Sequence, residues 1–430
     1  MIRQSLWGVV GGGPAPRPTL DGRQDVEIAI VGAGIAGLSL ACELAAAGRS
    51  VCVVEAVTPG AGALGASAGI IAPQLVRTTP NKVLEKLGPE LGASWLRLVG
   101  ESGGHLFDLI RTLRIDCDAR PHGFIAPARG AAAPQRLQQV LDEWLPFRHD
   151  LSILDAQTTL AMTGCRGYGA AVLDASGGGV NPLKLAAGLA ARAVEAGAAL
   201  FHHSPATALE RVGARWRLEA GGGVVEADKI ILCANGGNQF LHPSLDATVL
   251  PMRVHELATA PISQRLRASV LPGGQSLTDL ELDIFSIRFA EGERMVTFYP
   301  VKEEASAEEI ELAVNRRLAG MLQDYEPVRI EHLWEGVAWI NSSLLPRIVA
   351  IDDGLLAVQA CNGRGIATNA IVGREIARML LSEGRYRPAI AVERPKRIGR
   401  VPFMRQAPGL MLRLGRSLRQ ARSRLLGKES

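Results

Sequence analysis

The stretch VEIAIVGAGIAGLSLACELAAAGRSVCVVE, Val26–Glu55, decides the fold of this chain. An apolar run (Val26–Val31) meets Gly32-Ala33-Gly34-Ile35-Ala36-Gly37. A small-residue helical pattern follows, and after Gly48 a second apolar run (Val51–Val54) ends at Glu55-Ala56. Gly32 permits a tight turn out of the strand, Gly34 lets backbone approach a pyrophosphate, and Gly37 lets the helix pack close on the sheet. The helix that starts there turns its orphan N–H groups and positive dipole end toward the phosphates. Glu55 stands 18 residues past Gly37, where a carboxylate accepts the hydroxyls of an adenosine ribose and disfavours a 2′-phosphate. The spacing predicts a βαβ unit that binds FAD or NAD and does not choose between them.

Length and composition set the frame. A chain of 430 residues, 47% apolar and 21% charged, holds two domains or one with a large insertion. No run approaches the ~18 apolar residues of a membrane span, and the amino-terminal segment lacks the apolar core of a signal peptide. Six cysteines without paired or metal-ligand spacing fit buried thiols in a reducing compartment, so a cytoplasmic protein without a bound metal is expected. Charge is uneven. Residues 385–430 carry 13 Lys/Arg and two Asp/Glu, a local +11, so the remainder carries −7. Within that tail Leu410, Met411, Leu414, Leu418, Ala421 and Leu425 alternate with Arg413, Arg416, Arg419 and Arg422, an amphipathic basic helix. It suits an anionic membrane surface, a partner subunit, or the acidic body of the chain itself. No nucleic-acid module accompanies the charge.

Further strand-like runs occur at Ala198–His203, after a helical stretch Asn181–Ala196, and at Lys229–Cys233 and Leu355–Ala360, before a helical stretch Ile366–Leu381. Blocks at Asp116–Ala128, Val249–Pro261 and Ile284–Val301 alternate and carry turn residues, as an antiparallel sheet requires. The expected organisation is an extended arm (1–24), a discontinuous nucleotide-binding domain (25–80, 176–245 and 347–384), a second domain in two pieces (81–175 and 246–346), and the basic tail. Two more glycine-rich turns stand out: Gly60–Gly69, where small residues let backbone near a flat ligand and the Ser67 hydroxyl can donate, and Asn362–Gly365, which precedes a helix and places partial positive charge above it.

Taken in order, VGAGIAG…VVE, GASAGI, LDASGGGVNPLKLAAGLAARAVEAGA, IILCANGG and LLAVQACNGRGIATNAIVGREIA resemble the FAD-dependent amine and amino-acid oxidases of the D-amino-acid oxidase (DAO) superfamily, in particular the gamma-glutamylputrescine oxidase-like branch. The resemblance implies a mixed α/β and α+β fold, with a glutathione-reductase-type FAD-binding Rossmann domain and an inserted antiparallel-β substrate domain. It implies oxidation of a C–N bond by hydride transfer to flavin N5, with the imine then hydrolysed and the flavin reoxidised by dioxygen. It places non-covalent FAD against Gly32–Gly37, Glu55 and Ala56, against Ala66, Ser67, Ala68, Gly69 and Ile70, against Ala206, Ala234 and Asn235, and against Gly363, Arg364, Gly365, Ile366, Ala367 and Thr368. No covalent-link motif surrounds Cys361.

The chain departs from the amino-acid oxidases at Gly336-Val-Ala-Trp-Ile-Asn-Ser-Ser-Leu-Leu-Pro346, where they read G-L-R-P-x-T-P-D-x-L-P. Their arginine grips a substrate carboxylate as a bidentate fork. Here Ala338 takes its place, so the expected substrate is an amine without an α-carboxylate unless another cation, such as Arg253, Arg288 or Arg347, substitutes. Trp339, His255 and Tyr299 are the candidate catalytic-site residues, Trp339 as a pocket wall or cation–π partner and the other two as groups that position an amine. The competing reading is an amino-acid dehydrogenase or oxidase subunit that passes electrons to a quinone or partner protein at a membrane.

Overall fold

The structure, a computed structural model, describes residues 1–301 and 305–399. The basic amphipathic segment expected at 410–425 lies outside the described residues.

The βαβ unit forms as its sequence requires. Asp21–Val31 runs parallel to Val51–Val54, and the helix Ile35–Ala46 connects them. Five strands run parallel in the order Leu355–Gln359, Gly222–Leu232, Asp21–Val31, Val51–Val54, Ala199–Phe201. Their apolar runs are buried on both faces, as a helix-covered parallel sheet demands. Arg347–Asp352 joins Leu355–Gln359 antiparallel, and the hairpin of Ala206–Val212 and Arg215–Ala220 extends from Gly222–Leu232. The first strand starts earlier than the apolar run suggested. Asp21–Asp25 are mostly exposed, yet they pair with Gly222–Glu226, an extension set by the partner strand.

Small residues let three helices crowd one face of this sheet. A Cβ on Gly373, within the helix Gly365–Leu381, would lie 2.8 Å from Ala36 O and 2.9 Å from Leu40 N. The helix Pro182–Glu195 packs beside them, and Asn181 caps it by accepting from the N–H groups of Leu183 and Lys184 (both 3.2 Å).

A second sheet has eight strands in the order Ile330–Asn341, Val249–Pro261, Arg294–Phe298, Ser286–Ala290, Ser276–Thr278, Phe124–Ala128, Ala170–Asp174, Leu151–Asp155. It is antiparallel except where Ser276–Thr278 runs parallel to Phe124–Ala128. That pairing fuses the two halves of the sheet, and local alternation carried no sign of it. The amino-terminal arm is also more ordered than its Pro/Gly content suggested. Leu6–Val10 is helical, with Leu6 and Trp7 buried, and Ile2 hydrogen-bonds Glu331 and Leu333. Two tryptophans explain this: Trp7 packs edge-on against Trp334, centroids 6.1 Å apart, and ties the arm to the core. Among the described residues no helix is long and apolar enough to cross a membrane.

Candidate active site

A cavity of about 590 Å³ opens between the two sheets. The parallel strands deliver their carboxyl ends to it, where ligands of open α/β sheets bind. Gly32 turns the chain with φ +105°, and a Cβ there would sit 3.1 Å from Ala234 N. At Gly37 a Cβ would run into Gly32 O, so only glycine allows this helix–strand approach. Gly34 is different: its virtual Cβ meets nothing within 4 Å, leaving open space at the helix N-terminus. No side chain caps that helix and no acid lies in its first turn, so its dipole end faces the cavity through Gly34, Ile35 and Ala36.

Glu55 sits at the end of the second strand and lines the cavity with Ala56. Ala33 N–H donates to its Oε2 (2.8 Å) and Val57 N–H to its Oε1 (3.0 Å). These bonds fix the carboxylate and leave each oxygen a further lone pair for a ribose hydroxyl. A phosphate cradle, an uncapped helix end and an aimed carboxylate fit the adenosine-diphosphate half of FAD.

The Gly60–Gly69 turn crosses between the sheets and is held from behind. Trp7 Nε1 donates to Ser67 O (2.8 Å) and Trp334 Nε1 to Ala66 O (3.1 Å). Arg288 Nη1 donates to Ala68 O (3.2 Å), Gly69 O (2.7 Å) and Val180 O (2.6 Å). Burial pushes the Arg288 guanidinium down to about 9. Ala66, Ser67, Ala68 and Ile70 line the cavity, and Gly69 turns away at φ +70°. The Ser67 hydroxyl already donates to Leu64 O (2.7 Å) and accepts from Gly69 N–H (3.2 Å). It shapes the turn, correcting the expectation of a donor held ready for ligand.

Ala206, Ala234 and Asn235 line the same cavity, as do Gly363, Arg364, Gly365 and Ile366, while Ala367 and Thr368 lie buried behind them. The Asn362–Gly365 turn opens the helix Gly365–Leu381, whose first turn likewise has no side-chain cap and no acid. Asn341, buried at the end of Ile330–Asn341, braces this turn: its N–H donates to Asn362 Oδ1 (3.0 Å) and its Nδ2 to Gln359 O (3.2 Å). The atypical Asn341-Ser342-Ser343 segment therefore has a structural job. Cys361 also lines the cavity, with its thiol pushed up by burial and less disposed to act as a nucleophile.

Of the three expected catalytic-site residues, the structure brings only Trp339 to the cavity, with its indole stacked on the Gly236 backbone. Strand alternation leaves the other two out. Met252, Val254 and Glu256 face the cavity, so His255 points the opposite way, into a separate cavity, with Nε2 3.5 Å from Glu335 Oε2. Phe298 faces the cavity, so Tyr299 is buried on the far side, with the Arg317 guanidinium 5.9 Å from its ring. The three arginines offered as substitutes for Ala338 are all engaged elsewhere. Arg253 Nη1 is 3.1 Å from Glu335 Oε1, Arg288 holds the glycine-rich turn, and Arg347 Nε donates to Gln359 Oε1 (2.9 Å).

The sequence reading missed Glu256. It is 8% exposed, its Oε2 has no hydrogen-bond partner, and burial alone pushes its carboxyl up to about 8. The signal was present: an acid on the inward register of an apolar alternating strand. Arg364, read as a flavin contact, is the only Lys or Arg lining this cavity among the described residues. Burial pushes it down to about 10, Asp279 opposing, and its Nη1 is buried without a partner.

Comparison with known proteins shows the family of the chain. The chain is 27% identical over 387 residues to the gamma-glutamylputrescine oxidoreductase of Escherichia coli (strain K12), covering 88% of each chain. It is 25% identical over 372 residues to the probable oxidoreductase OrdL of Rhizobium meliloti (strain 1021), covering 85% of each. The crystal structure of glycine oxidase from Geobacillus kaustophilus superposes with a TM-score of 0.69 at 20% identity, covering 84% of this chain and 95% of that one, and shares its fold. The DAO family of FAD dependent oxidoreductases matches residues 27–379. This chain belongs to that family and is an FAD-dependent oxidoreductase.

Proposed function

We propose that this enzyme oxidises the C–N bond of a primary or secondary amine, gamma-glutamylputrescine or a compound like it, to an imine that water then hydrolyses, with dioxygen as electron acceptor. The observation that carries the reading is the composition of the cavity beyond the cofactor cradle. Ala338 and Trp339 stand where a carboxylate-binding arginine would be, and a buried carboxylate, Glu256, faces the same space. That end suits a nitrogen cation better than the α-carboxylate of a simple amino acid. FAD, when bound, supplies a hydride acceptor at flavin N5.

The chain's own contribution is placement and exclusion of water. The Gly34 gap takes the pyrophosphate, Glu55 the adenosine ribose, and the Gly60–Gly69 turn with Gly363–Ile366 flanks the isoalloxazine. Met252, Ile284, Phe298 and Trp339 give the substrate end apolar walls. The grouping of strands supports a division in which 25–80, 176–245 and 347–384 hold the cofactor and 81–175 and 246–346 hold the substrate. Burial pushes the Cys361 thiol up and away from the reactive thiolate, which supports non-covalent FAD. Purified protein titrated anaerobically with amines, polyamine conjugates and amino acids tests the reaction. Bleaching of the visible flavin band by an amine and not by simple α-amino acids is expected; a band that only α-amino acids bleach would sink the proposal.

A further inference from the structure

Glu256, Phe298, Ser286 and Thr278 form one row across four adjacent strands. Glu256 lies opposite Phe298 in register, Phe298 N–H donates to the Ser286 hydroxyl (3.2 Å), and Ser286 lies opposite Thr278. All four line the cavity. Three strand spacings of about 4.8 Å set the ends of the row ~14 Å apart. At one end is the Glu256 carboxylate, more than nine-tenths buried and unpartnered at Oε2. Past the other end is Arg364. Its guanidinium lies 5.8 Å from the ring of Phe124, on the strand next to Thr278, and its Nη1 is buried and unpartnered.

A buried acceptor and a buried donor of opposite charge, too far apart to satisfy each other, are matched together by a ligand that carries both complements. Asp279, the acid that acts on Arg364, already accepts from Tyr168 Oη and Phe285 N–H. A metal ion does not fit Glu256, because no group of three or more ligating side chains exists among the described residues. The cofactor does not fit it either, since FAD carries anionic phosphates and no cation.

We propose that Glu256 and Arg364 form a two-ended substrate clamp: Glu256 takes a protonated nitrogen, Arg364 takes a carboxylate remote from it, and the preferred substrate is an elongated zwitterion lying along the row. The clamp rests on the reading of the enzyme as an amine oxidase and narrows its substrate class. An apolar floor with one hydroxyl each from Ser286 and Thr278 suits a flexible chain with a polar group part-way along. Burial, which pushes the Glu256 carboxyl up to about 8 without a ligand, also implies that an incoming cation restores its ionised form.

The test is isothermal titration calorimetry of the FAD-loaded enzyme, its flavin reduced beforehand and kept anaerobic, with three probe series: ω-amino carboxylates of increasing length, alkylamines, and alkanoates. The ω-amino carboxylates should bind tightest, with an optimum at a chain long enough to span the row and not at the shortest member. Glu256→Gln should weaken ω-amino carboxylates and alkylamines by about thirtyfold or more and leave alkanoates unchanged. Arg364→Gln should weaken ω-amino carboxylates and alkanoates and leave alkylamines unchanged, with Arg364→Lys partly restoring them. Losses that ignore probe charge, or affinity that ignores chain length, would overturn the clamp. So would an Arg364→Gln protein that sheds FAD but keeps its ligand preferences. Calorimetry reads binding without turnover, so a holoenzyme that binds these probes while no amine reduces its flavin would refute the proposed reaction and leave the clamp intact.

Discussion

Two alanine substitutions three residues apart should have opposite consequences, because Gly34 and Gly37 are glycine for different reasons. At Gly37 a Cβ runs into the Gly32 carbonyl, backbone against backbone, with Ile30 Cγ2 a further 3.2 Å contact. Neither side can rotate away, so the helix must lift from the sheet. Overpacking of this kind costs about 1–3 kcal/mol where side chains can yield, and the upper end or more is expected here. At Gly34 the added methyl meets nothing within 4 Å and φ is −79°, which any residue adopts. The poorer N-cap and the lower entropy of the unfolded chain offset each other to within about 1 kcal/mol. The methyl instead occupies the space assigned to the pyrophosphate, so FAD affinity should fall by about tenfold or more, equivalent to ~1.4 kcal/mol. Urea unfolding of the two apoproteins and FAD titration followed by flavin fluorescence separate the effects. Gly34→Ala should unfold like wild type and bind FAD poorly; Gly37→Ala should lose stability without FAD present. A Gly34→Ala protein with wild-type FAD affinity would show that the pyrophosphate does not occupy the gap, and a Gly37→Ala apoprotein of wild-type stability would refute the packing argument.

Glu55→Ala removes the acceptor of two backbone N–H groups and the proposed ribose contact, so FAD retention on gel filtration should drop; full occupancy would exclude the ribose role. Arg288→Met leaves three carbonyls of the glycine-rich turn without their shared donor, and about 2–4 kcal/mol should be lost in denaturant unfolding, together with FAD occupancy. The Glu256 carboxyl titrates near 4.5 in the unfolded chain and at about 8 in the fold, so the unfolded state releases its proton first and apoprotein stability falls as pH rises through that window. Glu256→Gln removes this slope and should gain on wild type by about 1.4 kcal/mol per pH unit between those limits. Parallel pH–stability curves for the two proteins would mean that the carboxylate is hydrated or paired.

The cofactor half was legible because its constraints are local. Glycines, an acid and two apolar runs at fixed spacing encode a turn, a helix end and a strand end, and Gly32, Gly34, Gly37 and Glu55 stand in the geometry their positions require. The last turn, Cys361–Gly365, was legible for the same reason. The substrate half was not. Whether His255 or Glu256 faces the cavity depends on a one-residue register choice that the segment Val249–Pro261 does not make by itself. Pairing with Arg294–Phe298 and Ile330–Asn341 settled it. The parallel contact between Ser276–Thr278 and Phe124–Ala128 sets Phe124, about 150 residues away in the chain, beside the end of the row. Sequence alone therefore determined the family and the tight turn, open helix end and strand-end acid of the first βαβ unit. Tertiary structure decided which charges face the cavity, because burial and the absence of a partner belong to the whole fold and to no stretch of it.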